Sequence, residues 1–475
     1  MILSFIFFLL VFVLIGVSSL FQSRGDKKDY YLASGSVHPA LVGLSAVATN
    51  NSGYMFIGVI GYTYVTGLAS IWLMCGWILG DYLGSTFIHS RLHQSTRASG
   101  EVSYAGVLSN WHGENYERLQ KLIALISLVF LMAYSSAQLV AGSKALHVLF
   151  GWPQWAGAVM GTVLVILYCF AGGIRASIWT DAAQSVVMML AMGLLLVVAV
   201  NSLGGIDGAI QRMDRVPGFM DWFPKDEVLP GLAGGIVFIV GWMFAGLSVI
   251  GQPHIMVRFM TLDDIDHMRQ ARLWYYLWFI VFYCMATAVG MLSRVYLGDM
   301  SSFDAELALP TMAQQLLPPV LVGLILAGIF AATMSTADSL ILSCSASLTH
   351  DLLPHKSENM LLLKSMTTLI ALSALLWAFV NSQSVFSLVI MAWSGLASAF
   401  APLLIVLSLG AKPGQKSTLL AVCAGLSAAL IWRYLGWNNV VYEGMAGMLT
   451  GLLIFYGDAQ YRKMRLGWVS SSPDK

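Results

Sequence analysis

The sequence predicts an all-α integral membrane protein that crosses the bilayer about thirteen times. Of its 475 residues, 58% are hydrophobic and only 10% are charged, whereas soluble domains carry about 25% charged residues. The apolar residues come in runs of roughly 18 or more, which is the length that a helix needs to cross the hydrocarbon core. Backbone groups in lipid must be paired within the protein, so spanning segments are helices or closed barrels. Barrel strands alternate polar and apolar side chains, and these runs do not.

The N-terminal run from Met1 to Leu20 is predicted to be the first span. It lacks the basic segment and the small-residue cleavage site of a signal peptide. The predicted spans are residues 2–20, 39–65, 68–89, 119–149, 154–172, 177–202, 230–256, 273–297, 308–349, 360–381, 384–410, 418–434 and 438–457. Segments 119–149 and 308–349 exceed a single crossing and predict a tilt, a bend or an interfacial turn. Because every connecting loop is short, residues 1–475 are predicted to form a single membrane domain.

The basic residues are distributed unevenly between the two sets of loops. Nineteen fall on one side, among them Arg175 and Arg258. The opposite side has six: Lys144, Arg212, Arg215, Lys225, Arg294 and Arg433. Since Lys and Arg accumulate in cytoplasmic loops, the N-terminus is predicted outside and the C-terminus in the cytoplasm. An odd number of spans fits this arrangement.

Charge and cysteine usage exclude several classes of function. A formal net charge of +1 offers no field for nucleic acid. The five cysteines all fall in predicted spans without a C-x-x-C spacing, which is typical of packing residues rather than of a metal site. The histidines are scattered, mostly in predicted loops, so an intramembrane enzyme is not indicated. The expected partner is the lipid bilayer, and no obligatory protein partner is evident.

Polar residues interrupt the second predicted span, where Ala48 to Gly53 reads A-T-N-N-S-G. Four consecutive hydrogen-bonding side chains cannot share one helix face, and Asn and Ser bond to nearby backbone in ways that favour local unwinding. Broken helices expose carbonyl and amide groups at mid-membrane, where transporters bind ions and solutes. A polar helix–helix contact is the alternative.

The ninth predicted span has a second polar cluster, A-A-T-M-S-T-A-D-S, from Ala331 to Ser339. Hydroxyl groups recur there at intervals of three and four residues and therefore share one face. Asp338 lies beside that face. Hydroxyl, carbonyl and carboxylate oxygens suit a hard cation. Hydroxyls can also bond back to their own helix, but a carboxylate inside the membrane is costly and usually functional.

Weaker signals occur in three other spans. Asp181, in W-T-D-A-A-Q at the start of the sixth span, is either functional or a carboxylate stabilised by the helix dipole. Tyr134 and Gln138 lie one helical turn apart in the fourth span. Glycines and a proline interrupt the seventh span, and His254, beside Arg258, is interpreted as a structural histidine near the cytoplasmic end.

These segments resemble the sodium:solute symporter family. The chain has D-Y-Y-L-A-S-G before the second span, A-x-N-N-S-G, Q-L-V-A-G, W-T-D, G-Q-P-H-I-M-V-R-F-M and M-S-T-A-D-S, in the family's order and over nearly its whole length. The G-Q-P-H-I string is most similar to the sodium:proline symporter branch. The resemblance implies a LeuT-type fold, in which spans 2–6 (39–202) and 7–11 (230–410) form two inverted repeats. Span 1 (1–20) and spans 12–13 (418–457) are then peripheral.

The resemblance also implies ion sites, with Na⁺ as the coupling ion. The main sodium site falls on the carbonyls of Ala48, Asn51 and Ala332 and the hydroxyls of Ser335 and Thr336. A second sodium or proton site falls on Asp181, Asp338 and Ser339.

The predicted solute pocket differs from that of the proline branch. That branch has an aspartate at Asn50 and a tryptophan at Tyr54, which argues against proline as the solute. The predicted solute contacts are Asn50, Ser52, Tyr54, Tyr134 and Gln138.

The expected function is sodium-coupled uptake of a small organic solute by alternating access, across a bacterial inner membrane. The amide groups of a broken helix favour an amino acid or an organic carboxylate. A proton-coupled symporter and a sodium-coupled sugar or polyol symporter stay open. A membrane ligand sensor is less favoured, because only 18 residues follow Gly457.

Overall fold

The structure, a computed structural model, describes residues 1–224, 231–298, 303–353, 358–380, 384–439 and 441–470. Helices dominate these residues. They are α1 (Ile2–Ser18), α2 (Lys27–Leu32), α3 (Pro39–Gly53), α4 (Ile60–Thr66), α5 (Ile71–Ser99), α6 (Tyr104–Ser109), α7 (Glu117–Phe150), α8 (Gln154–Gly172), α9 (Ile174–Ser202), α10 (Ile206–Asp214), α11 (Leu232–Leu247), α12 (Pro253–Met260), α13 (Met268–Leu297), α14 (Ala308–Leu316), α15 (Pro319–Ala346), α16 (Met360–Val380), α17 (Val385–Ser408), α18 (Gln415–Tyr434) and α19 (Glu443–Ser470).

The prediction of a multi-pass all-α membrane protein is confirmed. Eleven segments of the described chain are long and apolar enough to cross a bilayer. One of them, Pro39–Ser99, has 61 residues, which suffices for two crossings. Within it, α4 ends at Thr66 and Gly67 has a φ of +71°, between the second and third predicted spans. The thirteenth predicted span overlaps α19, and the count of thirteen stays a prediction.

Several predicted boundaries are corrected by the structure. Of the tilt, bend or turn expected in the fourth span, the bend and the turn are excluded, because α7 runs without interruption from Glu117 to Phe150. The turn expected in the segment 308–349 is present, since the segment divides into α14 and α15, with Leu317 extended before Pro318. The third span was predicted to end at residue 89, where polar residues begin, but α5 continues to Ser99. A helix that extends beyond the membrane needs no apolar side chains there. The predicted boundaries at 230 and 381 lie outside the described residues.

Helical geometry is lost at the two places where polar or glycine-rich runs predicted it. In the second span, Ser52 has φ 45° and ψ −177°, and a π-helical turn follows over Tyr54–Val59. In the seventh, Ser248–Gly251 tightens to a 3-10 turn and Gln252 is extended before Pro253 starts α12. The Val37 N–H donates to the Thr261 carbonyl at 3.1 Å, which links the entry of α3 to the end of α12.

Two arginines that were assigned to loops are buried instead. Arg258 is 0% exposed and Arg175 is 6% exposed. Arg175 donates to Asp29 Oδ1 at 2.6 Å and to the Ala33 carbonyl at 2.9 Å. Without these two, 17 basic residues remain on one side against six on the other, and the orientation stays a prediction. Lys225, Lys356 and Lys475 lie outside the described residues.

Helices α5 and α11 approach each other closely at glycines. A Cβ atom on Gly80 would lie 1.9 Å from the Met243 carbonyl oxygen, and one on Gly246 would lie 1.9 Å from the Trp77 carbonyl oxygen. Small residues at such crossings let backbones pack directly, which is how helices associate in lipid. This crossing holds the third span against the broken seventh span.

Gly80→Ala is therefore expected to destabilise the protein by about 1–3 kcal/mol, the usual cost of overpacking a tight contact. Gly457→Ala is the matched control, since a Cβ there would meet nothing within 4 Å. The measurement is the melting temperature of each purified variant in detergent. Equal melting of the two variants would mean that the helices do not cross at Gly80.

Candidate functional site

The broken end of α3 meets the middle of α15 through hydroxyl–carbonyl hydrogen bonds. The Thr336 hydroxyl donates to the Thr49 carbonyl at 2.9 Å and lies 3.2 Å from the Ala332 carbonyl. The Ser335 hydroxyl lies 3.3 Å from the Ala48 carbonyl and 3.1 Å from the Ala332 carbonyl. All these residues are buried. The junction is thus a buried cluster of neutral oxygen atoms between the two spans.

The structure brings together most of the predicted main sodium site. Ala48, Ala332, Ser335 and Thr336 are joined by these hydrogen bonds. Asn51 is engaged differently, because its side chain donates to the Val47 carbonyl at 2.8 Å and its carbonyl accepts from the Tyr54 N–H. The cluster offers oxygen atoms as ligands, which are the atoms that bind hard cations such as sodium.

A buried arginine, which the sequence analysis missed, lies beside the second predicted ion site. The Arg258 Nη2 donates to Ser177 Oγ at 2.7 Å and to Ser339 Oγ, and it lies 3.4 Å from Asp181 Oδ2. Its Nη1 donates to the His254 carbonyl at 2.8 Å. The signal available in the sequence was the apolar surroundings of Arg258 in I-M-V-R-F-M, which are unlike those of a loop residue.

The two carboxylates of that site have one hydroxyl neighbour in common, Ser177, whose Oγ lies 3.5 Å from Asp181 Oδ2. Asp181 Oδ2 accepts from Ser45 at 2.7 Å, and Asp338 Oδ1 accepts from Ser177 at 3.0 Å and from Ser339 at 3.1 Å. Among the described residues, Asp181 Oδ1 and Asp338 Oδ2 are buried without a hydrogen-bond partner. Two ionised carboxylates against one guanidinium leave one negative charge unbalanced, and a buried unbalanced charge is costly. A monovalent cation would balance it.

Three of the predicted solute contacts meet at the break in α3. The Tyr134 hydroxyl donates to Ser52 Oγ at 3.2 Å. Gln138 Oε1 accepts the Gly53 N–H at 2.8 Å. These bonds show that the exposed amide groups of the break face α7. Tyr134 and Gln138, one helical turn apart on α7, thus bond to the adjacent residues Ser52 and Gly53.

Tyr54 lies on an aromatic layer next to this point. Its ring stacks on Phe386, with centroids 5.3 Å apart, and lies 5.6 Å from the Trp77 ring. Phe386 also stacks on Tyr62 and lines a cavity of about 310 Å³ between α4, α11, α17 and the start of α19. The Phe386 ring therefore separates this cavity from the break.

Asn50 is turned away from the other predicted solute contacts. Its Nδ2 lies 3.3 Å from Asp81 Oδ2 and donates to the Tyr275 hydroxyl. Asp81 was missed in the sequence analysis, although it stands alone in an apolar part of the third span. The rule that singled out Asp338 would have found it.

Unpartnered polar atoms surround the break. Within the described chain, Tyr54 Oη, Gln138 Nε2 and both ring nitrogens of His254 are buried and lack a hydrogen-bond partner. The His254 ring stands perpendicular to that of Tyr134, with centroids 5.5 Å apart. The histidine interpreted as structural thus lies beside the predicted solute contacts. Buried polar groups are normally hydrogen-bonded, so this group of atoms indicates a ligand site.

The sequence that folds into these two broken spans matches the profile of a known family. The profile of the sodium:solute symporter family matches residues 30–417. The chain belongs to that family.

Several curated relatives of this chain are similar over almost their whole length. Sodium/proline symporter 2 of Staphylococcus saprophyticus is 29% identical, over 99% of this chain and 94% of the relative. The sodium/proline symporter of Escherichia coli is 28% identical, over 95% of this chain and 91% of the relative. The high-affinity proline transporter PutP of Bacillus subtilis is 28% identical, over 91% and 92%. These relatives are transporters, so the prediction that the chain is not an enzyme is confirmed.

Solved structures confirm the LeuT-type fold of this symporter. A Na⁺-coupled sialic acid symporter in a substrate-bound outward-open state matches with a TM-score of 0.78 and 19% identity, over 95% of each chain. Mhp1, a nucleobase-cation-symport-1 family transporter in a closed conformation with bromovinylhydantoin bound, matches with a TM-score of 0.59 and 13% identity, over 91% of this chain and 94% of that chain. At such identities the likeness concerns the fold alone.

Arg258→Ala is expected to destabilise the symporter by about 3–5 kcal/mol, because removing one partner leaves buried carboxylate charge uncompensated. Arg118→Ala, on the exposed first turn of α7, is the control. Melting temperatures of purified variants provide the measurement.

Combining Arg258→Ala with Asp338→Asn should restore part of the lost stability, because the double variant removes one negative charge as well as the positive one. If the double variant melted at the temperature expected from adding the two single losses, the charge balance proposed for this cluster would be wrong.

Proposed function

We propose that the chain is a symporter that couples sodium entry to uptake of a small organic solute by alternating access. The observation that carries the proposal is the contact of the Ser335 and Thr336 hydroxyls with the carbonyls of Ala48 and Thr49 at the break in α3. A cation bound there would join α3 and α15, which meet at this junction through neutral groups. Membership of the sodium:solute symporter family and the Na⁺-coupled fold neighbour support sodium as that cation.

The main sodium site in this proposal consists of Ala48, Asn51, Ala332, Ser335 and Thr336. To engage the ion, the Ser335 and Thr336 hydroxyls would turn their oxygen lone pairs toward it, while the carbonyls they now contact become ligands themselves. For Asn51, the carbonyl would have to release the Tyr54 N–H. Binding would therefore change the backbone at the break, next to Ser52 and Gly53.

The second ion site consists of Asp181, Asp338 and Ser339. A sodium ion there would balance the negative charge left over by Arg258 and would use the unpartnered oxygens of both carboxylates. A proton on either carboxylate would balance the same charge, so a proton-coupled cycle is the second candidate. The sodium-coupled and proton-coupled cycles differ in the stability test below. Sodium coupling predicts stabilisation by sodium but not by potassium, whereas proton coupling predicts equal effects of the two ions and stabilisation at low pH.

The solute site consists of Ser52, Tyr54, Tyr134 and Gln138, with His254 added. Asn50 is left out, because its side chain is bonded to Asp81 and Tyr275. The site offers neutral donors, namely Gln138 Nε2, the Tyr54 hydroxyl and a ring N–H of His254. The guanidinium group of Arg258 is not counted among these donors, because it bonds to Ser177 and Ser339. Neutral donors beside the amide groups of a broken helix favour a small amino acid or organic carboxylate, with a sugar or polyol as the alternative.

We further propose that the chain lies in a plasma membrane with its N-terminus outside. The cavity lined by Phe386 then opens on the outer side, so the solute would enter past the Tyr62–Phe386–Tyr54 stack. Residues 39–202 and 230–410 would form the two repeats of one domain, and the sites lie where α3 and α12 meet α7, α9 and α15.

Sodium is expected to raise the melting temperature of the purified protein more than potassium or choline at equal ionic strength, because a ligand of the folded state stabilises it by mass action. Ser335→Ala and Thr336→Ala should each raise the sodium concentration for half the effect roughly tenfold or more, equivalent to about 1.4 kcal/mol of binding free energy. Ser343→Ala, two turns further along α15, should leave it unchanged.

Equal stabilisation by sodium and potassium, combined with stabilisation at low pH, would overturn the sodium assignment in favour of proton coupling. An unchanged sodium response in both hydroxyl variants would show that the main site is misplaced.

A library of solutes screened on the sodium-loaded protein should identify one chemical class that adds a further rise in melting temperature. Amino acids (proline included), organic carboxylates, sugars and polyols are the test classes. Tyr134→Phe should weaken that rise, since it removes the hydroxyl bonded to Ser52, while the sodium response is retained. A response confined to sugars or polyols would contradict the carboxylate assignment.

A further inference from the structure

Asp81 is a buried carboxylate that neither the ion sites nor the solute site of the proposed cycle uses. It lies in the middle of α5 and is 0% exposed. Oδ2 accepts from the Tyr275 hydroxyl at 2.6 Å and from Asn50 Nδ2 at 3.3 Å, and Oδ1 accepts from the Tyr276 hydroxyl at 2.8 Å. All these partners are neutral. Full charge on a carboxylate at membrane depth is costly without a cationic partner.

The hydrogen bonds around Asp81 form two arms of different chemistry. On one arm, Asn50 Nδ2 donates to the Tyr275 hydroxyl, which donates to Oδ2. An amide NH₂ group is only a donor, so this arm keeps its direction. On the other arm, Tyr276 donates to Oδ1 and exchanges a hydrogen bond with Ser85, in which either hydroxyl is able to donate. Only this arm is reversible.

We propose that Asp81 is a proton-binding site, and that the proton enters on Oδ1 through the reversible arm. A hydronium ion from the solvent gives up a proton, which forms an O–H bond on Oδ1, and the hydronium O–H bond that breaks leaves a water molecule. The new hydroxyl donates to Tyr276 Oη, and the Tyr276 hydroxyl turns its own hydrogen toward Ser85 Oγ. The charge of the site changes from −1 to 0, while the donors from Tyr275 and Asn50 to Oδ2 keep their places.

A proton fits this site better than sodium does. A carboxylate has about four lone-pair positions, and three hydrogen bonds occupy all but one of them. A sodium ion would need several oxygen ligands and would have to displace the donors. A proton needs a single position, namely the one on Oδ1 that the Tyr276 hydrogen vacates when it turns toward Ser85.

The titratable and charged groups around Asp81 come from few elements. Helix α13 contributes Tyr275, Tyr276 and Arg272, whose guanidinium lies over the Tyr276 ring, 5.5 Å from its centroid. Arg272 also donates to the Thr86 hydroxyl at 3.0 Å. On α5 itself, Tyr82 and His89 are closest along the chain.

The other neighbouring helices add little charge. His254 and Arg258 of α12 contact Tyr134 and the Asp181 cluster. Helices α3 and α11 have no Asp, Glu, Lys, Arg or His beyond the N-cap His38. A change of charge at Asp81 is therefore felt chiefly by its hydroxyl partners, by Asn50 and by Arg272.

Two features give the proton site a route and an effect. His89 lies one turn beyond Ser85 on α5, and both its ring nitrogens are buried without a partner among the described residues. It is the next proton-accepting group toward the Ser99 end of the helix. On the other side, Asn50 lies between Thr49 and Asn51 at the break in α3, so the charge of Asp81 acts on the segment that holds the proposed sodium site.

The test is infrared difference spectroscopy of the purified protein, titrated with pH at constant sodium concentration. The wild-type spectrum should gain a carbonyl band of a protonated carboxyl group as the pH falls, and Asp81→Asn should lose one such band while bands from other carboxyl groups persist. An Asp81→Asn titration identical to that of the wild type would overturn the proposal.

A second pair of variants keeps the carboxyl group and so guards against misfolding of Asp81→Asn. Tyr276→Phe removes the reversible arm and should move the pH midpoint of the Asp81 band. Tyr82→Phe is the matched control, because Tyr82 packs on Tyr276 with centroids 5.2 Å apart and is half exposed, and its midpoint should equal that of the wild type. Equal midpoints in both variants would contradict the assigned arm. The outcome does not depend on whether sodium is the coupling ion.

Discussion

Backbone carbonyl and amide groups that lose their helical partners inside a membrane must find other partners in the protein, and the break at Ser52 imposes this requirement on the last turn of α3. Hydroxyls of α15 meet it from one side, through Thr336 and Ser335. Gln138 of α7 meets it from another by accepting the Gly53 N–H. The same groups that keep the break stable are therefore the ones that can exchange a hydrogen bond for an ion or a solute.

Buried charged groups lie on both sides of the broken span. Asp181, Asp338 and Arg258 lie within one hydrogen-bonded cluster between α9, α12 and α15, where hydroxyls of Ser177 and Ser339 bridge them. Asp81 lies on the other side of α3, held by two tyrosine hydroxyls. The broken span thus lies between two buried anionic groups, one with a built-in counterion and one with neutral donors. Cations that bind on either side would act on the same few residues of α3.

Much of this arrangement was predictable from the sequence. The break at Ser52, the hydroxyl face of α15 and the Tyr134–Gln138 pair each came from residue types that violate the apolar pattern of a span. Arg258 and Asp81 were missed for different reasons. Arg258 was assigned to a loop by its position near a predicted boundary, and Asp81 stood alone without a polar run to draw notice. Asn50 was assigned to the solute site because sequence order does not show which side of a broken helix faces which neighbour.

The most direct test of the central claim is equilibrium binding of radioactive sodium to the purified protein, with unlabelled sodium, potassium and choline as competitors. We expect saturable binding that unlabelled sodium displaces and that potassium and choline leave in place, with tighter binding once the solute is present. Binding that does not saturate, or that potassium displaces as well as sodium does, would contradict the claim that the junction of α3 and α15 is a sodium site.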